Sequence, residues 1–269
     1  MRNVAVARTT PTFQPRSAWP WAWGGLVVGL LCAVLLFAPA RWLANAVERA
    51  TEGRVLLREA RGTVWNGSAE LALTGGPGSA DTLALPDRVD WRVRPRWDGV
   101  RADVAVACCT TQPIALRAHM ALGGVLIQVA DSQSQWPASL LAGLGTPWNT
   151  LQFDGELALS TQSLSVEWVQ GRLAIAGRAE LRAQRLSSRL STLRPMGSYR
   201  ITVLGGATPT LQLETLDGAL HLAGSGQWVG SRLRFTGTAS AAPDSESALS
   251  NLLNIIGRRS GPRSIISIG

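Results

Sequence analysis

Between Arg16 and Arg41 the chain carries no charge, and residues 18–40 read Ala-Trp-Pro-Trp-Ala-Trp-Gly-Gly-Leu-Val-Val-Gly-Leu-Leu-Cys-Ala-Val-Leu-Leu-Phe-Ala-Pro-Ala. Few environments accept such a run. Wound as a helix it is roughly 34 Å long, enough to cross a hydrocarbon core of about 30 Å. Trp19, Trp21 and Trp23 cluster at its start and Trp42 follows its end, positions where amphipathic rings prefer the membrane–water interface. The expectation is a transmembrane anchor over 18–40, preceded by a Pro-containing flexible tail over 1–17. Two other readings compete with it. A buried helix of a globular core would be shorter, and a cleaved signal peptide could end at the small-x-small site Ala38-Pro39-Ala40. Length and the tryptophan cluster favour retention. Arg2, Arg8 and Arg16 before the run balance Arg41, Arg49 and Arg54 after it, so charge alone leaves the orientation undecided.

The rest of the chain is rich enough to bury a sizeable core. Of 269 residues, 46% are hydrophobic and only 16% charged, which excludes wholesale disorder. The net charge of +8 is carried by arginine alone, since the sequence has no lysine. These arginines are spread along the chain rather than gathered in a run, and nucleic-acid binding is not expected. Cys32 sits within the apolar run, and Cys108-Cys109 are adjacent. No C-x-x-C spacing exists to suggest zinc or dithiol chemistry. A bond between neighbouring cysteines is geometrically strained, so two thiols in or beside a strand are expected there.

After the apolar run, Trp42, Leu43, Ala46 and Val47 keep a helical spacing, and Gly53 is the expected stop. From Val55 the period changes to two. Asn66-Gly67 is the strongest short signal for a two-residue hairpin turn. Val89, Trp91 and Val93 alternate with charged residues, as do Val100, Ala102, Val104 and Val106 with polar ones. One-sided alternation marks a half-buried antiparallel sheet. Proline and glycine punctuation over 137–147 breaks the rhythm and suggests a lobe boundary, with lobes over 41–136 and 137–269. Alternation then resumes through a dozen short strands in all. Short helices are expected near 137–145 and 245–256, the second capped by Asp244 and stopped by Gly257. A basic turn through Arg258 and Arg259 leads to a last strand. The fold class is mainly β: one N-terminal transmembrane helix, then a curved antiparallel sheet in one lobe or two.

A search for chemistry returns little. His119 and His221 fall on the polar face of their strands, and Asp154 with Glu156 lie two apart on one exposed-looking face. None of these has the unequal surroundings that acid–base work needs. No nucleophile elbow, P-loop, zinc or dinucleotide motif occurs, so no catalytic, cofactor-binding or metal-binding residue is expected. The polar face does carry many arginines. Arg88, Arg92, Arg94, Arg258 and Arg259 are candidates for docking a partner or anionic headgroups.

The string Gly62-Thr63-Val64-Trp65-Asn66-Gly67-Ser68-Ala69, shortly after the apolar run, resembles the N protein of the bacterial type II secretion system. So do Leu85-Pro86-Asp87-Arg88-Val89-Asp90-Trp91, the interruption over 137–147, and Leu252-Leu253-Asn254-Ile255-Ile256-Gly257-Arg258-Arg259. The resemblance implies a single-pass inner-membrane protein with a cytoplasmic N-terminus and a periplasmic β domain. It implies a non-catalytic, cofactor-free accessory in export across the outer membrane, with partners in the inner-membrane platform or the outer-membrane secretin, and contact with inner-membrane lipid. In this setting Gly62, Thr63, Trp65, Asn66 and Gly67 form a structural motif. The one-sided strands admit an alternative reading, a membrane-anchored periplasmic β groove that binds or transfers lipid.

Overall fold

The computed structural model describes residues 19–76, 78–79, 82–121, 124–169 and 172–269. The chain divides into two compact units, Met1–Ala38 and Pro39–Gly269. The tail expected over 1–17 lies outside the described residues.

In the first unit, α1 runs over Trp19–Leu36, which is 18 residues or about 27 Å. Among the described residues no helix is long and apolar enough to cross a membrane. This corrects the single 34 Å helix expected over 18–40. Pro39 has no N–H to continue the ladder and disfavours the α conformation in the residue before it. The helical bonding accordingly ends with the Phe37 N–H donating to the Ala33 carbonyl at 2.9 Å. Apolar side chains of α1 are exposed: Leu26, Val28, Leu30, Leu31 and Leu36 are all more than half exposed.

The second unit opens with α2 (Ala40–Ala50). Its end is a Schellman motif in which Gly53 N–H donates to Glu48 O at 2.7 Å. Gly53 has φ 73°, but the left-handed residue that first turns the chain is Glu52, at φ 52°. The strands follow: β1 (Val55–Gly62), β2 (Asn66–Thr74), β3 (Thr82–Arg96), β4 (Gly99–Val106), β5 (Ile114–Ala121), β6 (Gly124–Val129) and β7 (Ser132–Pro137). A 3-10 helix (Ala138–Leu144) and α3 (Trp148–Leu151) intervene. Then come β8 (Phe153–Val169), β9 (Arg172–Ser188), β10 (Gly197–Gly206), β11 (Thr210–Gly218), β12 (Leu220–Val229) and β13 (Arg232–Ala241). A 3-10 turn (Pro243–Ser245), α4 (Glu246–Ile256), β14 (Arg258–Ser260) and β15 (Arg263–Ile268) finish the chain.

Among the described residues all fifteen strands join one antiparallel sheet in nearly sequential order. β6 and β7 share one edge of the long β8, and β15 lies between β13 and β14. The sheet therefore runs past residues 137–147 without a break. Its alternation is in register across strands: Val93, Ala102, Leu116, Val129 and Leu164 form one apolar row. Where β8 would lose that phase, a bulge restores it. Gln162 pairs with Arg178 and Ser165 with Ala176, so residues 163 and 164 oppose Gly177 alone. Leu164, Val166 and Trp168 thereby return to the face of Leu157 and Leu159. Gly177 stands at φ 82°, and a Cβ there would lie 2.2 Å from Ser163 O. Such bulges add twist and bend the strand, which is how a long sheet curves over its own apolar side.

Three clusters fill that side. In the largest, Leu249, Leu252 and Leu253 of α4 meet Leu157, Leu186, Met196, Tyr199 and Leu220. The spacing of the three leucines and Ile256 gives α4 one apolar stripe. A second cluster surrounds Leu85, Val89, Val106 and Leu140, and Trp136 packs against both. The third joins Ala40, Ala69 and Trp91. Burial pushes the Tyr199 phenol above its ordinary range, and its hydroxyl donates to Leu220 O at 3.1 Å.

Several local expectations need correction. Asp244 belongs to the 3-10 turn, and the N-cap of α4 is Ser245, whose side chain makes no capping bond. Gly257 is extended rather than left-handed; it is glycine because a Cβ would meet Ile265 O at 2.5 Å. The basic turn is a hairpin, with Arg258 opposite Ile265 and Arg259 opposite Ser264. Cys108 and Cys109 are joined as a disulfide. They lie in the turn after β4, where side chains need not alternate between opposite faces.

Candidate docking surface

The candidate surface is built outward from one hairpin. β1 and β2 are linked through residues 63–65, with Gly62 opposite Gly67 as their last pair. Asn66-Gly67 therefore opens β2 and is not the centre of the turn, a correction to the two-residue hairpin. An Asn-Gly turn of type I′ needs positive φ at both central residues, and Asn66 has none. Gly62, at φ 84°, makes the reversal, and a Cβ on it would lie 2.5 Å from Asn66 O. Gly67 is glycine for another reason. The Trp91 ring lies against it, its Cζ2 only 2.6 Å from where a Cβ would stand. The Trp91 indole N–H donates to Thr63 O and Val64 O at 3.2 and 3.1 Å. Trp65 O accepts the Val93 N–H at 2.6 Å. Two separate strings of the sequence, 62–69 and 85–91, thus meet as one packed element.

The arginines divide into tied and open. Arg88 bridges three strands: its guanidinium donates to Glu59 O at 2.6 Å and lies 3.4 Å from Glu70 and 3.7 Å from Glu59. Arg92 and Arg94 are exposed on β3, opposite Asp103 and Arg101 on β4. Arg101 is in turn opposite Arg117 on β5. Like charges directly opposed on a sheet repel, and among the described residues only Arg101 in this row has a carboxylate partner, Asp103 at 3.2 Å. Beside the row, Arg96, Asp98, Val100, Arg101, Arg117 and His119 line a cavity of about 150 Å³. Arg258 and Arg259 are exposed on β14, a free edge of the sheet. The interface tryptophans are placed in part. Trp19 and Trp23 are exposed and stack edge to face at 5.9 Å, Trp42 is exposed on α2, and the side chain of Trp21 lies outside the described residues.

One charged centre escaped the sequence reading. Glu180 on β9 is buried, with Arg178 and Arg182 each at 2.5 Å and Arg200 of β10 at 3.4 Å. Arg200 also reaches Glu214 on β11 at 2.7 Å. Burial pushes the Glu180 carboxyl up, but the hydrogen bonds and charges of Arg182 and Arg178 outweigh it and hold it below the usual range. The signal was present as Arg178-x-Glu180-x-Arg182, a spacing that puts three charges on one strand face. Arg200 came only with the pairing.

The other candidates stay apart. His119 Nδ1 lies 3.0 Å from Asp98 O, while His221 is exposed on β12 opposite Ser240. Asp154 accepts the Gly155 N–H at 3.0 Å, and Glu156 pairs with Arg185 at 3.2 Å. Among the described residues no three potential metal ligands converge.

An antiparallel sheet with an arginine-bearing face follows an apolar helix in this chain. The chain belongs to the family of type II secretion system protein N, whose family model matches residues 53–266. That match includes both strings joined at Trp91 and the α4–β14 ending. No curated protein and no solved structure matches the chain. The family is an accessory component of the secretion machine, so this chain takes part in type II secretion among the other components.

Proposed function

We propose that the chain is a non-catalytic, inner-membrane accessory of the type II secretion machine, with its N-terminus cytoplasmic and its β unit periplasmic. The observation that carries the docking role is the open sheet: among the described residues β1 and β14 each pair with a strand on one side only. A free edge offers a row of N–H and C=O groups to an added strand. On β14 that edge carries Arg258 and Arg259, and Arg92 and Arg94 extend the basic surface on β3. A partner in the inner-membrane platform or the outer-membrane secretin would meet these groups with an acidic strand. Anchoring is supported by α1, whose bare Leu and Val side chains need lipid or another helix to cover them. Its 18 residues fall just short of an average bilayer, so local thinning or flanking residues would complete the fit.

Purification of the assembled machine in mild detergent tests the docking role. Wild-type chain should bring secretion components with it, and Arg258→Glu with Arg259→Glu should release them. Absence of any co-purifying component from the wild type would sink the reading. Mass spectrometry of the mature N-terminus decides whether cleavage follows Ala40.

A second reading rests on a different observation. Part of the apolar face stays open, with Val100, Val125 and Ile127 about 40% exposed. Lipid held there would make the unit a lipid-binding or lipid-transfer groove. Lipid extracted from purified chain in amounts near one per molecule would favour it.

A further inference from the structure

We propose that one end of the sheet, built from hairpin tips bearing Trp97, Met120 and Trp168 above a row of arginines, rests on the anionic surface of a lipid bilayer. Antiparallel alternation places the β3/β4, β5/β6 and β8/β9 turns at the same end of the sheet. Trp97 lies in the first of these turns and is 94% exposed. Met120 is 88% exposed, and through Val125 it shares a register row with Trp168, itself 51% exposed. Large exposed apolar side chains at the turn ends of neighbouring strands, rather than around a pocket, suit insertion among headgroups more than a protein socket.

The charge agrees with that occupant. Arg94, Arg101 and Arg117 stand opposite one another on three adjacent strands, and Arg96 adjoins them at the end of β3. Asp103 pairs with Arg101 at 3.2 Å and Asp98 approaches Arg96 at 3.7 Å. Arg94 and Arg117 have no ion pair among the described residues. Four guanidiniums against three carboxylates, counting Glu167 beside Trp168 on β8, leave the tip end basic. Arginine stems lying along apolar surface with their heads among phosphates are a common arrangement at bilayer surfaces.

The chain's own path selects the membrane. Pro39, where the β unit begins, forms a bridge with Thr63 in the β1/β2 turn, and that turn lies at the same end as the three tips. The first residue of the β unit therefore lies at its tip end. Choosing this particular membrane rests on the anchoring proposed above; the basic and apolar tips do not.

The test uses the full chain with Cys32→Ser and Trp97→Cys, labelled at position 97 with an environment-sensitive dye and reconstituted into vesicles. The expected result is a blue-shifted emission, quenched by brominated acyl chains, when the vesicles contain phosphatidylglycerol. The shift should be lost in phosphatidylcholine alone, at high salt, and in a chain carrying Arg94→Glu and Arg117→Glu. A label at Ser247→Cys on α4, at the opposite end, should stay in water throughout. Floating the same samples after alkaline extraction reports on the anchor separately. Chain that floats while position 97 remains in water overturns the tip contact and spares the anchor. Chain that fails to float but shows the shift with added anionic vesicles overturns the anchor and supports the tips. A position 97 that ignores lipid yet crosslinks to another secretion component overturns the lipid proposal in favour of a protein.

Discussion

Trp91 packs on Gly67 so closely that a Cβ on the glycine would stand 2.6 Å from the indole ring. The same indole N–H holds the carbonyls of Thr63 and Val64. One residue of β3 thereby clamps the β1/β2 hairpin by shape and by hydrogen bonding together.

Gly67→Ala and Trp91→Phe should each destabilise the unit. The alanine has to displace the ring or the strand, an overpacking cost of about 1–3 kcal/mol. The phenylalanine loses one shared donor, about 1 kcal/mol, and leaves a gap where the larger ring packed. Urea unfolding should show a lower midpoint for each, and the double variant should lose less than the sum, because the smaller ring makes room for the methyl group.

Glu180 should govern part of the acid sensitivity. Its carboxyl is held below the ordinary value of 4.5, so its stabilisation is complete above that value and is lost as the pH falls through the lower folded value. Glu180→Gln should flatten that part of the stability–pH curve. Near neutral pH it should cost about 1–2 kcal/mol, modest because Arg178 and Arg182 are about half exposed and their charges screened. An acid limb unchanged by Glu180→Gln would refute the assignment.

Leu252→Ala should loosen the cover that α4 gives the C-terminal half of the sheet. The side chain is 1% exposed within the largest cluster, and truncation at such sites costs about 2–5 kcal/mol. Hydrogen exchange should rise first in α4 and β15, because Ser264 Oγ donates to Leu253 O at 2.6 Å and ties the two together.

Gly177→Ala should disturb the phase of β8. The substituted residue faces a positive φ and a carbonyl at 2.2 Å, so the bulge must relax and Leu164, Val166 and Trp168 lose their alignment with the apolar face. The expected readout is a lower thermal midpoint with a blue or red displacement of Trp168 emission, read in a chain where other tryptophans serve as the unchanged background.

Much of the fold could be read in advance where a side-chain period repeats locally. The alternation of Val89, Trp91 and Val93 gave β3, and the spacing of Leu249, Leu252, Leu253 and Ile256 gave α4. Local signals misled where a distant group decides the conformation. Asn66-Gly67 looks like a turn on its own, but the ring of Trp91 explains Gly67 as a point of close approach. Adjacent cysteines look like two thiols in a strand, but the turn after β4 lets them join. The docking surface was half legible. Arg88, Arg92 and Arg94 appear in sequence as one alternating set, whereas pairing separates Arg88, held by two glutamates, from Arg94, left facing Arg101.

By itself the sequence determined that a charge-free apolar segment precedes a one-sided antiparallel sheet, because hydrophobic period and charge spacing are properties of neighbours along the chain. Tertiary structure alone decided that the fifteen strands of the described residues form one sheet, that Trp91 packs on Gly67, and that Glu180 gathers arginines from two strands. Those outcomes depend on strand register and on close approach between residues far apart in the chain, and no local pattern specifies either.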